Sequence, residues 1–161
     1  MKCPSCDSKK PMKTVKKSIK YKDCGLDFIT IDKVEVSTCS NCGEEIIHYG
    51  NLIKIHEAIK DTLLKKDTAL TGKEIVFLRK QVGWDQAAFA NKLKMSLRTI
   101  QRLEASESPV DLDKDKYIRM VVASTEYERF YKLRDIFDDL KKGIHFKSIK
   151  INSQSFQVAC A

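Results

Sequence analysis

The sequence predicts an α+β protein, with a small β-rich domain at the N terminus, an all-α domain after it and a C-terminal extension. Three observations lead to this prediction. Two pairs of cysteines bracket a stretch rich in β-branched residues, three short amphipathic segments follow one another between residues 70 and 109, and two more helical patterns come after them. With 161 residues, the chain suits one or two small domains.

The cysteine pairs form two C-x-x-C knuckles, Cys3 with Cys6 and Cys39 with Cys42, separated by residues 7–38. Each knuckle can present two thiolates to one tetrahedral ion, and four sulfur ligands leave no open position. We therefore predict one structural zinc ion per chain, bound by all four thiols. A thioredoxin-type dithiol would need a single knuckle in a βαβ context, and a catalytic zinc would need a position for water.

Strand patterns occupy the residues between the knuckles. Residues 13–21 alternate apolar and polar side chains, residues 23–25 suit a turn, and residues 26–36 are rich in β-branched side chains. The predicted zinc-binding domain, residues 1–45, is too small to bury a self-sufficient core, so metal binding should supply much of its folding free energy. Cys24 and Cys160 have no partner at ligand spacing and are predicted to be plain thiols.

Residues 46–69 are predicted to join the two domains. Apolar residues from Leu52 to Leu63 recur at helical spacing, which predicts a helix over residues 46–66, and a polar break follows at residues 65–69. Either His48 or His56 could replace a zinc ligand, but we expect both at solvated positions of this helix. The apolar stripe could pack on either domain or on a second copy of the chain.

A helix-turn-helix is predicted within residues 70–124. Thr71 and Glu74 have the spacing of a capping box at the start of a first helix, which Gly83 ends. Asp85 is a suitable N-cap for a second helix and Ser96 for a third, with room between them for a short turn only. The alternative is a small helical bundle whose surface happens to carry arginines.

The third helix is expected to turn Ile100 and Leu103 inward and a polar face outward, towards a DNA major groove. Gln86, at the start of the second helix, is placed to bind a phosphate, which fixes register without carrying sequence information. The predicted DNA-binding residues are Gln86, Ser96, Leu97, Arg98, Thr99, Gln101 and Arg102.

Residues 111–124 predict a further helix with Ile118, Val121 and Val122 buried. The C-terminal region, residues 125–161, begins with a helical pattern over residues 126–142 that ends at Gly143. Its apolar seam suits either domain core or dimerisation; the seam residues are Phe130, Leu133, Phe137 and Leu140. The last stretch alternates weakly and could form a terminal hairpin, an edge strand that pairs with a partner chain, or a partly ordered tail.

The net charge of +8 favours a polyanionic partner, although the charge alone is equally consistent with a merely basic surface. No apolar run is long enough to cross a bilayer, and the chain begins with a cysteine motif rather than a signal peptide, so we expect a cytoplasmic protein without membrane contact. No nucleophile–base arrangement, Gly-rich phosphate loop, H-E-x-x-H motif or open metal site is visible, so we do not expect an enzyme.

The second and third predicted helices resemble the helix-turn-helix of the Xre and Cro-like regulators. The matching residues are Gln86, Ala90, Leu93, Ser96, Thr99, Ile100, Arg102 and Glu104. The chain departs from the pattern at Lys94, where such proteins often have Gly in the turn, and at residues 105–106, which replace a common Gly after the recognition helix.

The order of the parts resembles that of MqsA-type antitoxins, in which a YgiT-type zinc finger precedes an Xre-type helix-turn-helix. The resemblance covers roughly residues 1–124. It implies a type II antitoxin whose zinc domain neutralises a toxin, a ribonuclease, and whose helix-turn-helix domain dimerises and represses its own operon at a palindromic operator. It also implies that Arg98 and Arg102 contact bases. The alternative is a zinc-containing, sequence-specific transcriptional regulator without a toxin.

Overall fold

The computed structural model describes residues 2–6, 10–106, 109–125 and 148–160, and shows an α+β protein with a mixed sheet. The elements in chain order are β1 Lys13–Lys20, β2 Ile29–Thr38, β3 Glu45–His48, α1 Leu52–Leu64, α2 Gly72–Gln81, α3 Gln86–Lys92, α4 Leu97–Ala105, α5 Leu112–Ser124, β4 Ile149–Asn152 and β5 Val158–Cys160. Within these ranges, every helix is too short or too polar to cross a bilayer.

Strand β2 is the centre of the sheet. Strand β1 pairs with it in antiparallel register along one edge. The opposite edge is shared, because β3 pairs antiparallel with the C-terminal half of β2 and β4 pairs parallel with its N-terminal half. Lys33, with φ of 57°, lies between these two halves and interrupts the extended backbone there. Strand β5 then pairs antiparallel with β4 and completes the sheet.

The predicted hairpin of the N-terminal region is confirmed as β1 and β2, with the turn at residues 23–25 closed by Gly25 at φ of 81°. Of the three alternatives for the C-terminal stretch, the terminal hairpin is confirmed as β4 and β5. The hairpin extends the N-terminal sheet of its own chain. The predicted helix over residues 126–142, with Phe130, Leu133, Phe137 and Leu140, lies outside the described residues.

The predicted helix over residues 46–66 is wrong at its N-terminal end. Residues 45–48 form β3, and the helix starts only at Leu52, after Asn51 caps it by accepting a hydrogen bond from the Lys54 N–H at 3.1 Å. The expected helical position of His48 is wrong for the same reason. Gly43, at φ of 77°, reverses the chain after the second knuckle, so that the β-branched residues 46–47 pair with β2 rather than begin a helix.

The main buried core is continuous from the sheet to the helices. One cluster of buried side chains includes Ile31 and Val36 of β2, Ile59 of α1, Leu78 of α2 and Ile118 of α5. A second, much smaller cluster contains Cys3, Met12 and Cys39, with Cys6 and Ile46 packed against it. Strand β2 therefore shares its core with the helices, and in the described part of the chain the knuckles form a small cluster apart from that core.

The predicted caps of the helical region are confirmed. The Thr71 N–H donates to the Glu74 carboxylate at 2.7 Å, the Asp85 carboxylate accepts from the Ala88 N–H at 2.7 Å, and the Ser96 hydroxyl accepts from the Thr99 N–H at 3.1 Å. Each cap satisfies a backbone donor that the first turn of its helix leaves unpaired. Helices α2, α3 and α4 consequently begin at the residues that the capping pattern predicts.

A buried arginine of α5 fixes the segment between α1 and α2. Arg119 is 1% exposed and donates hydrogen bonds of 2.6–3.1 Å to the carbonyl oxygens of four residues, which are Leu63, Leu64, Lys66 and Thr68. Its charge is balanced by Asp115, one helical turn earlier, which also accepts the Leu70 N–H at 2.8 Å. The sequence predicts a polar break at residues 65–69. In the structure, the ion pair of Arg119 and Asp115 makes hydrogen bonds to the backbone before, within and after this segment.

Candidate metal centre and nucleic-acid interface

The four cysteines of the two knuckles meet at one point. The Sγ atoms of Cys3, Cys6, Cys39 and Cys42 all lie within 4.8 Å of one another. The Sγ atoms of Cys3 and Cys42 are 3.5 Å apart, and those of Cys6 and Cys39 are 3.7 Å apart. A tetrahedral ion with metal–sulfur distances near 2.3 Å requires about 3.8 Å between its sulfur ligands. The predicted set is therefore assembled in a geometry compatible with one structural metal ion.

Asn41, between the two cysteines of the second knuckle, donates hydrogen bonds to sulfur. Its backbone N–H contacts Cys39 Sγ at 3.4 Å, and its side-chain amide contacts Cys6 Sγ at 3.5 Å. The backbone N–H groups of Cys42 and Asn41 lower the pKa of the Cys39 thiol to about 6. Such donors stabilise the thiolate form, which is the form that binds a metal ion.

Cys24 lies apart from this cluster, as predicted. Its thiol occupies the turn between β1 and β2 and contacts the Tyr21 carbonyl oxygen at 3.5 Å. Burial raises the pKa of Cys24, which disfavours the thiolate. Tyr21 also donates or accepts a hydrogen bond of 2.8 Å with His56, whose other ring nitrogen contacts the Gln81 amide at 3.2 Å. The expected solvated position of His56 is therefore wrong, because its ring is half-buried between Tyr21, which follows β1, and α2.

Helices α3 and α4 form the tight unit predicted for a helix-turn-helix. The turn between them places Lys94 at φ of 52°, the left-handed conformation that a glycine would adopt without strain. Phe89 and Leu93 on one side of the turn and Ile100 on the other are buried in the common core. The departure from Gly at position 94 therefore leaves the turn intact, at the cost of a strained lysine backbone.

A buried carboxylate holds the two helices and α2 together. Glu104 of α4 accepts two hydrogen bonds from Arg79 of α2, at 2.6 and 3.1 Å, and a third from the Gln86 amide of α3, at 2.8 Å. Arg79 also donates to the Trp84 carbonyl oxygen at 2.8 Å. Because Arg79 and Glu104 are shielded from solvent, this network fixes the relative placement of all three helices.

The outward face of α4, which we term the recognition face, consists of Leu97, Arg98, Gln101 and Arg102, and all four side chains are exposed. The other predicted DNA-binding residues are placed differently. Ser96 caps the helix, and Thr99 is half-buried with its hydroxyl 2.8 Å from that of Ser96. Gln86 is half-buried, and one N–H of its side-chain amide donates to Glu104. The second N–H of that amide could donate to a phosphate.

Sequence reasoning missed the polar groups that tie the elements together. Asp115 and Arg119 were not singled out, although their spacing of four residues on the same helical face as Ile118 and Val122 is a usable signal for a buried ion pair. Arg79 carried no signal of its own, since its partner Glu104 is distant in sequence. The pairing of His56 with Tyr21 likewise depends on how the sheet packs against α1.

Comparison of the chain with protein-family models, with curated proteins and with solved structures finds no match. Function must therefore be argued from the two sites themselves.

Proposed function

We propose that this protein binds DNA sequence-specifically through α3 and α4, represses its own operon and acts as the antitoxin of a type II toxin–antitoxin system. The observation that supports DNA binding is the recognition face, which presents two arginines and a glutamine from a helix whose opposite side is buried at Ile100. Arginine can donate two hydrogen bonds to the O6 and N7 atoms of guanine, and glutamine can pair similarly with adenine.

The resident metal is proposed to be zinc. All four donors are sulfur, their spacing is compatible with tetrahedral coordination, and four sulfur ligands would leave no position for water. Zinc bound there would hold the two knuckles together and would supply no chemistry to a substrate. Cys3 and Cys39 are buried among their own small cluster with Met12, which is the setting of a structural rather than a catalytic ion.

A twofold dimer on a palindromic operator is proposed as the DNA-binding form. Two recognition helices must reach half-sites about 34 to 36 Å apart, which a symmetric dimer achieves. Helix α5 has apolar surface available for such an interface, because Leu112 is 62% exposed and Met120 is 38% exposed. Light scattering at micromolar concentration should give the mass of two chains, and a single-chain mass that DNA leaves unchanged would contradict the dimer.

The antitoxin role rests on the order of the parts and on the sheet surface. Val15 and Ile47 flank Val36 in adjacent strands and remain 42% and 38% exposed, so this side of the sheet offers apolar area to a protein partner. Co-expression with the product of a neighbouring small gene tests the role directly. Rescue of growth by the full chain supports it, whereas operator binding without any such rescue would favour a transcriptional regulator that has no toxin.

The DNA-binding experiment compares two kinds of variant on an operator duplex and a scrambled duplex over a salt series. Arg98→Ala and Arg102→Ala should each lose about 1 to 3 kcal/mol on the operator and much less on the scrambled duplex, because they contact bases. Gln86→Ala should weaken both duplexes alike, because a phosphate contact carries no sequence information.

Lys20→Ala, an exposed charge on β1, is the control for a general loss of positive charge. Lys20→Ala should have little effect on the affinity for the operator duplex or for the scrambled duplex. Equal losses of Arg98→Ala on both duplexes would refute base recognition by α4.

A further inference from the structure

Leu97 is an apolar residue at the position of α4 where a polar one would be expected. It is the first residue of the helix, directly after the Ser96 cap, and 43% of its surface is exposed. The buried side of the same helix is already supplied by Ile100, which is 0% exposed. Leu97 is therefore not needed for the core, and its exposed methyl groups lie on the recognition face.

The recognition face consists of two parallel rows. Residues four apart on a helix lie one above the other, so Leu97 and Gln101 form one row and Arg98 and Arg102 form the other. The arginine row suits guanine. The row of Leu97 and Gln101 combines an apolar group with an amide that can pair with adenine, and it has no charge.

We propose that Leu97 recognises thymine through the C5-methyl group, so that the row of Leu97 and Gln101 selects A·T pairs next to guanines selected by the arginine row. The N-terminal residues of a recognition helix contact base edges. In the major groove, the thymine methyl is the apolar group that a leucine can contact. Against guanine or cytosine, Leu97 would cover polar base atoms without pairing with them, which costs free energy.

This inference rests on the proposed DNA-binding function and deepens it. The full chain is first used to select its preferred duplexes from a random library. Each thymine of the selected half-site is then replaced by deoxyuridine, which removes the methyl group and leaves base pairing and hydrogen-bonding edges unchanged. Affinities are measured for the wild-type chain and for Leu97→Ala.

The expected result is specific to one contact. For the wild type, deoxyuridine at one thymine per half-site should weaken binding about fourfold, the factor that corresponds to burial of one methyl group. Leu97→Ala should bind the thymine duplex more weakly than the wild type and should be indifferent to the same replacement. Leu52→Ala is the matched control, because Leu52 is also the first residue of a helix and is 40% exposed.

The Leu52→Ala chain should respond to deoxyuridine as the wild type does. The inference is overturned if no thymine responds, or if the wild type and Leu97→Ala lose the same factor at the same thymine. These outcomes differ from failure of the proposed function, in which the selection gives no preferred sequence and Arg98→Ala binds every duplex as the wild type does.

Discussion

Replacing Arg119 by methionine should destabilise the protein more than any exposed substitution. Methionine keeps most of the side-chain volume but removes the charge and all five hydrogen-bond donors of the guanidinium group. Asp115, which is only 4% exposed, would then be buried without its partner. Four carbonyl oxygens between residues 63 and 68 would also lose their hydrogen bonds.

The expected loss in the free energy of unfolding is about 3 to 5 kcal/mol, the usual result when one partner of a buried ion pair is removed. Simple addition of the separate hydrogen bonds would exceed this value, but water can enter and satisfy part of the segment when the side chain is gone. Arg119→Lys keeps the charge, and its single ammonium group cannot reach all of the acceptors. We expect the free energy of unfolding of Arg119→Lys to lie between those of the wild type and Arg119→Met.

Urea unfolding monitored by circular dichroism measures these losses. Asp115→Asn combined with Arg119→Met removes both charges, while asparagine can still accept the Leu70 N–H, so the double variant should be more stable than Arg119→Met alone. Arg102→Met is the matched control on an exposed arginine and should stay within about 0.5 kcal/mol of the wild type. A loss of unfolding free energy below 1 kcal/mol for Arg119→Met would show that the ion pair does not stabilise the segment between α1 and α2.

Three further predictions concern packing, pH and metal. Gly72→Ala should lower the free energy of unfolding, measured in urea, by about 1 to 3 kcal/mol, although alanine usually favours a helix. The reason is that the alanine Cβ would lie 2.5 Å from the carbonyl oxygens of Glu104 and Ser106. Unchanged or higher stability would contradict this close approach. Burial lowers the pKa of His56 from 6.5, so its stabilising contribution should be complete above pH 6.5 and should decline below that pH, by at most about 1.4 kcal/mol per pH unit. The difference in unfolding free energy between the wild type and His56→Gln should therefore be smaller at pH 5.5 than at pH 7.5. A difference that is the same at both pH values would contradict this prediction. Chelation of the metal, or Cys6→Ser, should increase amide hydrogen exchange around the knuckles and leave exchange in the helices unchanged; uniform loss of protection would sink this prediction.

Local signals account for what the sequence could predict. The caps at Thr71, Asp85 and Ser96 lie next to the backbone groups they satisfy, so their meaning does not depend on the rest of the fold. The four cysteines could also be recognised from local sequence. Two close pairs of sulfur ligands define a metal site with little dependence on the residues between them. The hairpin of β1 and β2 follows from three neighbouring signals, which are the alternation over residues 13–21, the turn residues 23–25 and the β-branched residues of 26–36.

Contacts between distant residues account for what the sequence could not predict. Strand β3 was assigned to a helix because residues 46–63 contain apolar residues at spacings that suit both structures over a short length. The parallel pairing of Ile29 with Ile149 joins residues far apart in sequence, and alternation gives no register for it. Arg119 appears in the sequence as an ordinary charged residue, and its burial becomes intelligible only from the carbonyl groups around it.

The separation of the two buried clusters decides how the two proposed activities depend on the metal. At the sequence level, residues 1–45 were expected to need the metal for folding as a unit. In the structure, β2 contributes buried side chains to the large core shared with α1 and α2, whereas the metal would hold only the small cluster around Cys3, Met12 and Cys39. Loss of a metal bound there would remove free energy from the small cluster and little from the core that supports α4. Recognition of DNA should therefore survive chelation, while any partner that contacts the knuckles should be released.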